Sequence, residues 1–306
     1  MTQNYIQTVF WQIEIAAPKD EAHTIEEFFL KAGAQSTFEL LYAEGQTNNL
    51  VEDNTNLYFF FTEDFPAKAF VPMALATLGL PDLPFKISQV KYADYLKEFE
   101  KTFKAFALTS KTALVPPWDK ENPELPSGLK KLFLVPGMAF GTGKHATTQL
   151  MVEFLEETVR ATDTVIDMGS GSGILAIAAL LYGAKEAIGF DVETLAAESA
   201  ATNLEINRLE YQAELKAQFS VGDFSNLATL KTDAANTVFV ANILPNIFEA
   251  NATPLKAALA NCRAWALSGI PVAQDASFGP FLKSLTGKDF SRREKDEWLI
   301  YFATTG

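Results

Sequence analysis

The segment that most restricts how this 306-residue chain can fold is Asp167-Met168-Gly169-Ser170-Gly171-Ser172-Gly173, which lies between the β-branched run Val165-Ile166 and the apolar run Ile174–Tyr182. Branched apolar residues favour a buried strand, whereas alanine and leucine favour a helix, so the glycines mark a strand-to-helix turn. Alternate glycines also strip the turn of side chains and let a bound ligand approach the backbone. The same alternation continues on both sides: Thr164–Met168, Ile174–Leu181, Ala187–Phe190, Glu193–Asn207, Gln218–Val221, Thr237–Ala241, Ile247–Ala260 and Arg263–Ile270 read in turn as strands and helices. This order predicts a mainly parallel sheet with helices on both faces. Pro280–Leu285 reads as a short helix, and Phe290–Arg293 with Trp298–Thr304 as a closing antiparallel hairpin.

Upstream of residue 131 the pattern differs. Tyr5–Ile15, Ser36–Tyr42 and Leu57–Thr62 have strand composition, Glu21–Gly33 and Ala67–Leu78 have helical spacing, and Glu44–Thr55 is polar enough for a hairpin loop. Residues 1–86 therefore read as a small α+β domain. Residues 87–130 read as a linker: Tyr92, Tyr95, Phe99 and Phe103 recur at helical spacing, and four prolines interrupt Val115–Pro126. Residues 131–306 read as the α/β domain that carries the glycine turn.

The net charge of −13 opposes phosphate-backbone binding, so no direct nucleic-acid contact is expected. The excess is concentrated in residues 1–86, whose twelve acidic groups and four lysines give a net −8, which suits a basic partner as well as simple solubility. One cysteine and two histidines exclude an intrachain disulfide and give no cluster of soft ligands for structural zinc. No apolar run approaches the roughly 20 residues of a membrane span, and Met1–Asn4 begins no signal peptide, so a cytoplasmic monomer is expected.

A dinucleotide loop G-x-G-x-x-G would need glycine at 174, where the chain has Ile174. The spacing Asp167-x-Gly169-x-Gly171-x-Gly173 is instead similar to the S-adenosylmethionine (SAM) motif of the seven-stranded class I methyltransferases. Asp191, at the end of the next strand, is placed to accept from both hydroxyls of a ribose. Val221-Gly222-Asp223-Phe224 ends the third strand, where that class contacts adenine; Asp223 would accept from the exocyclic amine and Phe224 would pack on the ring. Read alone, a strand-end glycine is a turn residue and a lone Asp a helix cap. Before these elements, three glycines and an aromatic crowd Gly137–Gly143 like a loop that closes over a ligand, with Thr147 or Thr148 available to cap the following helix Gln149–Val159.

Pro136–Thr148, with its pattern A-F-G-T-G-x-H-x-T-T, together with Asp167–Ala176 and Ala241-Asn242-Ile243-Leu244, resembles the ribosomal protein L-eleven methyltransferases (PrmA). Val135 and Ala146 depart from that family's usual acid and proline. The resemblance implies a class I Rossmann-like sheet of seven strands and SAM as cofactor. It implies methylation of lysine ε-amines and the N-terminal α-amine of a basic ribosomal protein. Phe140, Gly141, Thr142 and Thr147 would then close over SAM, and Asn242, with the Leu244 or Ile243 carbonyl, would hold the attacking amine while also touching the cofactor. Without the resemblance, Asn242 would be read as the cap of a helix starting near Pro245. His145 reads equally as a proton acceptor or as a loop histidine bonded to backbone. Other protein or small-amine acceptors, or a silent SAM-binding scaffold, are the competing functions.

Overall fold

The computed structural model describes residues 9–34, 36–40, 54–91, 94, 97, 100, 101, 103–135 and 143–304, and divides into two compact units at Thr102/Phe103. In the first unit the order is β1 (Val9–Pro18), α1 (Lys19–Lys31), β2 (Ser36–Leu40), β3 (Asn54–Thr62), α2 (Ala67–Thr77) and β4 (Phe85–Lys91). The sheet is antiparallel in the order β2-β3-β1-β4. Alternation puts Ile13, Ile15 and Ala17 of β1 and Leu57, Phe59 and Phe61 of β3 into one core with Ile25 and Phe29 of α1 and Val71 and Leu75 of α2. The Phe29 and Phe59 rings stack there with centroids 4.3 Å apart. The sequence reading closed this domain at residue 86, but β4 runs on to Lys91, because Phe85–Lys91 pairs residue by residue with Val9–Ile15. The expected hairpin loop and most of the aromatic helix lie outside the described residues; Asp94, Lys97, Glu100 and Lys101 are helical.

The second unit opens with a small sheet, β5 (Phe106–Ala107), β6 (Thr112–Val115) and β7 (Lys130–Phe133), in the order β5-β6-β7. The stretch expected to link domains at 103–130 thus belongs to the catalytic unit. Its Trp118 indole donates to the Phe103 carbonyl at 3.0 Å, inside that unit. The chain continues through α3 (Ala146–Thr158), β8 (Thr164–Met168), α4 (Ile174–Leu181), β9 (Glu186–Asp191), α5 (Thr194–Tyr211), β10 (Ala217–Val221), β11 (Thr237–Asn242), α6 (Pro245–Ala250), α7 (Ala252–Ala260), β12 (Ala264–Pro271), α8 (Asp275–Thr286), β13 (Ser291–Lys295) and β14 (Trp298–Thr304). The seven strands lie in the order β10-β9-β8-β11-β12-β14-β13, with β8 to β12 parallel and β14 antiparallel to both its neighbours. The expected single helix over Ile247–Ala260 is two, broken at Asn251. The helix expected at Pro280–Leu285 begins earlier, at Asp275.

Strands β8 and β11 are buried along almost their whole length, and β12 throughout, so they read as continuous apolar runs rather than alternating ones. Sequence order runs outward from β8 in both directions, with β9 on one side and β11 on the other. A crevice is therefore expected at the C-terminal ends of β8 and β11. At the opposite end of the sheet Arg263 and Asp163, 5% and 0% exposed, form a bidentate pair.

Candidate active site

Gly169, Gly171 and Gly173 all have positive φ, 75°, 50° and 79°, so the turn after β8 requires residues without a Cβ penalty. Packing adds a second requirement. A Cβ on Gly169 would stand 2.4 Å from the Cγ2 of Ile243, and one on Gly173 would stand 2.8 Å from the Cβ of Ala200. The loop is fixed to the neighbouring strand by the Gly169 and Ser170 amides, which donate to the Phe190 carbonyl at 2.8 and 2.9 Å. The glycines thus hold the loop's own shape as well as leaving its surface bare.

Asp191 ends β9 beside this loop. One carboxylate oxygen accepts from the Gly171 amide at 2.8 Å and the other from the Glu193 amide at 3.1 Å. A carboxylate offers about four lone-pair sites, so these two bonds leave capacity for a pair of hydroxyls. Burial pushes the Asp191 carboxyl above the usual range despite its backbone bonds. Glu193, which the sequence reading passed over, is pushed up to about 7 by burial and then by the charge of Asp191. Asp167 is 0% exposed; one oxygen accepts from the Ala176 amide at 3.2 Å, and the other has no partner. Burial, with a contribution from Asp191, raises its carboxyl to about 7.

The raised Asp167 has a consequence for the ligand-free protein. Its folded value of about 7 lies above the ordinary 3.8, so the folded state retains a proton that the unfolded chain releases. Stability is then lost as pH rises from about 4 to 7. Asp167→Asn should remove this dependence: its melting temperature relative to wild type should rise across that window. A constant difference from pH 4 to 7 would show that Asp167 ionises normally.

Asn242 is the last residue of β11, paired with Ser268 of β12. Its amide nitrogen donates to the Thr147 hydroxyl at 3.1 Å, and its Oδ1 is buried without a partner. It does not cap α6, whose N-cap is Leu244. The Leu244 carbonyl accepts from the Ile247 amide at 3.1 Å, and the Ile243 amide donates to the Ser268 carbonyl at 3.1 Å. Thr147, 0% exposed, sits in the first turn of α3, where His145 is the N-cap. The His145 Nδ1 lies 2.7 Å from the Thr147 hydroxyl and 3.4 Å from its amide nitrogen, and the imidazole ring meets Trp298 edge-on at 4.7 Å. The His145 ring is thus held against the first turn of α3.

Five buried side-chain oxygens lack a partner among the described residues; four belong to this edge, namely Thr148 Oγ1, Asp167 Oδ1, Ser170 Oγ and Asn242 Oδ1. Buried polar groups are ordinarily paired, so their concentration here marks a place built for a polar ligand. Thr148 and Ser170 were missed as ligand groups, since a threonine in a first helical turn and a serine in a glycine loop both have structural roles.

At the third strand Asp223 has a structural role of its own. Asp223 is exposed and caps the 3-10 turn Phe224–Thr229: it accepts from the Ser225 amide at 2.8 Å, while Asn226 Oδ1 accepts from the Asp223 amide at 2.9 Å. Those bonds from Ser225 hold its carboxyl below the usual range. Phe224 is 3% exposed and belongs to the same buried cluster as Phe190 and Phe248. The apolar groups left bare at that edge are Val192, 71% exposed, and Val221, 52% exposed, on adjacent strand ends. Phe140, Gly141 and Thr142 lie outside the described residues. The segment leading to them is held by two asparagines one turn apart on α5. Asn207 accepts from the Phe133 amide at 3.0 Å and donates to its carbonyl at 2.6 Å; Asn203 accepts from the Val135 amide at 2.9 Å and donates to the Ser172 carbonyl at 2.9 Å.

The strand order, the glycine turn and the acid at the end of the second strand together define a class I SAM-dependent methyltransferase. The family model described as ribosomal protein L11 methyltransferase (PrmA) matches residues 9–304. The chain belongs to that family. A relative of that name from Prochlorococcus marinus is 28% identical over 297 residues, 95% of each chain. Another, from Bacillus pumilus, is 34% identical over 192 residues, which take in 63% of this chain and 59% of the relative. Among solved structures, a ribosomal protein L11 methylase from Lactobacillus delbrueckii subsp. bulgaricus is 27% identical and superposes with a TM-score of 0.53, covering 67% of this chain and all of that one.

Proposed function

We propose that this enzyme transfers methyl groups from SAM to the lysine ε-amines and N-terminal α-amine of ribosomal protein L11, acting in the cytoplasm as a monomer without direct nucleic-acid contact. The observation that carries the site assignment is the concentration of unpartnered buried oxygens at the ends of β8 and β11 and the start of α3. The hydroxyls of Thr148 and Ser170, the Asn242 oxygen and the carboxyls of Asp167, Asp191 and Glu193 offer polar groups that fit a ligand carrying hydroxyls and amines. Bound SAM supplies an electrophilic methyl on a sulfonium. The chain's own residues do the rest.

Asp191 would accept from the ribose hydroxyls, and the glycine turn of Gly169, Gly171 and Gly173, with Asp167, would hold the methionine part. Val192 and Val221 give the adenine an apolar surface. Asp223 would accept from its exocyclic amine, and Phe224 would support that surface from the core. Phe140, Gly141 and Thr142 would close over the cofactor, with Thr147 behind them against Asn242. A lysine amine, with an ordinary pKa near 10.4, has to shed a proton before it attacks, and desolvation beside a positive charge favours that loss. Asn242 Oδ1, buried and unpartnered, accepts a hydrogen from the amine and turns its lone pair toward the methyl, with the Leu244 carbonyl as a second acceptor. No covalent intermediate on the enzyme is needed, so alignment and exclusion of water carry the rate. The acidic residues of the first unit suit the basic substrate.

The proposal is tested by incubating the enzyme with methyl-labelled SAM and a cell extract containing free ribosomal proteins. Label should appear on the L11 protein. Label confined to another protein or to a small amine would overturn the acceptor assignment while leaving the chemistry intact.

A further inference from the structure

The side-chain amide of an asparagine can face either way, and only one orientation of Asn242 presents an acceptor to an amine. The bonds around Thr147 decide between them. The His145 Nδ1 accepts from the Thr147 amide, so it carries a lone pair rather than a proton. The Thr147 hydroxyl, 2.7 Å from that same nitrogen, must then donate to it. With its only hydrogen committed, the hydroxyl can serve Asn242 only as an acceptor, and Asn242 must turn its NH2 toward it at 3.1 Å. Oδ1 is left pointing the other way, buried and without a partner.

We propose that His145 and Thr147 are positioning residues that fix the polarity of the Asn242 amide, so that its oxygen faces the reacting amine. This rests on the role given to Asn242 above, and it moves Thr147 from touching SAM to holding the group that meets the acceptor. The site is well made for that purpose. Thr147 is 0% exposed, and its hydroxyl already serves two partners. Trp298 backs the His145 ring from the start of β14, two strands from β11. His145 is an uncommon N-cap, because Ser, Thr, Asp and Asn usually fill that position. Here the capping atom, Nδ1, is also the one that accepts from the Thr147 hydroxyl.

Thr147→Val keeps the shape of the side chain and removes the hydroxyl. It should lower kcat by roughly 10-fold or more, as expected for a reacting group left misoriented, while the SAM dissociation constant measured by calorimetry stays within about threefold of wild type. Thr147→Ser restores the hydroxyl and should recover kcat to within about threefold of wild type. Weaker SAM binding with unchanged kcat would make Thr147 a cofactor ligand and overturn the proposal. Failure of the serine to rescue would also overturn it, because a purely steric role would then explain the loss. Should the valine variant not fold, His145→Ala serves: it keeps the hydroxyl but frees its proton to swing toward Asn242, so kcat should fall with SAM affinity retained, and wild-type kcat would overturn the proposal. All variants are compared on an acceptor that the wild-type enzyme methylates. Absence of wild-type transfer would instead count against the proposed function.

Discussion

Asn242→Ala is expected to bind SAM within about threefold of wild type and to lose roughly 100-fold or more in methyl transfer. The size follows from what a preorganised polar group in a dry site contributes when it is aimed at the reacting atoms, typically 10² to 10³ in rate. Binding survives because the ribose and methionine contacts proposed for Asp191 and the glycine turn lie on β9 and after β8 rather than on β11. Truncation also leaves the Thr147 hydroxyl without its Asn242 donor, but that hydroxyl retains the His145 nitrogen, so α3 keeps its cap. The two constants should therefore separate cleanly. Loss of SAM binding in parallel with turnover would make Asn242 chiefly a cofactor ligand.

Arg263→Ala should destabilise the catalytic unit by about 3–5 kcal/mol in urea unfolding, the cost of leaving one partner of a buried ion pair unmet. Arg263 is 5% exposed and Asp163 is fully buried. The guanidinium donates to both Asp163 oxygens and to the Thr158 carbonyl at 2.8 Å, and the Arg160 amide donates to Asp163 at 2.6 Å. The Arg263 amide also donates to the Thr237 carbonyl at 2.9 Å. The pair thus ties the end of α3 to the N-terminal ends of β8, β11 and β12, opposite the edge that carries Asp191 and Asn242. A loss below about 1 kcal/mol would mean that the pair behaves like a surface salt bridge. Because the two ends of the sheet are separate, stability should fall in this variant without the change in kcat expected of Asn242→Ala.

What the sequence revealed and what it hid divide along physical lines. The glycine turn, its flanking strand and helix, and Asp191 are legible because each depends on local chemistry: positive φ at Gly169, Gly171 and Gly173, and an acid at the end of an apolar run. The mainly parallel sheet followed from alternation, while its seven strands were implied by the family resemblance. The early end assigned to the first domain had a different cause. β4 reads weakly because its mean exposure is high, and only its pairing with β1 shows where it belongs. Likewise, the three short strands of 106–133 are individually too brief to announce a sheet.

The site itself was less legible than the fold around it. Thr147 and Asn242 are 95 residues apart, and nothing local says that one orients the other. Asp223 shows the reverse case. Its Asp-x-x-Asn spacing is a cap signal as well as a strand-end acid, and the side chain makes that cap through one oxygen. Phe224 was chosen as an aromatic at a strand end, yet the core claims its ring, and the bare groups beside it are valines. The Asn203 and Asn207 pair had a faint signal, two poor helix formers spaced to share one face of α5. Its meaning appears only once Phe133 and Val135 are seen against it.

The most direct test of the whole account is the intact mass of purified ribosomal protein L11 after incubation with SAM and either wild-type enzyme or Asn242→Ala. The account predicts methyl increments with the wild type, mapping to lysine side chains and the N-terminal amine, and almost none with the variant at equal SAM occupancy. An unmodified substrate with the wild-type enzyme, or equal modification by both enzymes, would contradict it.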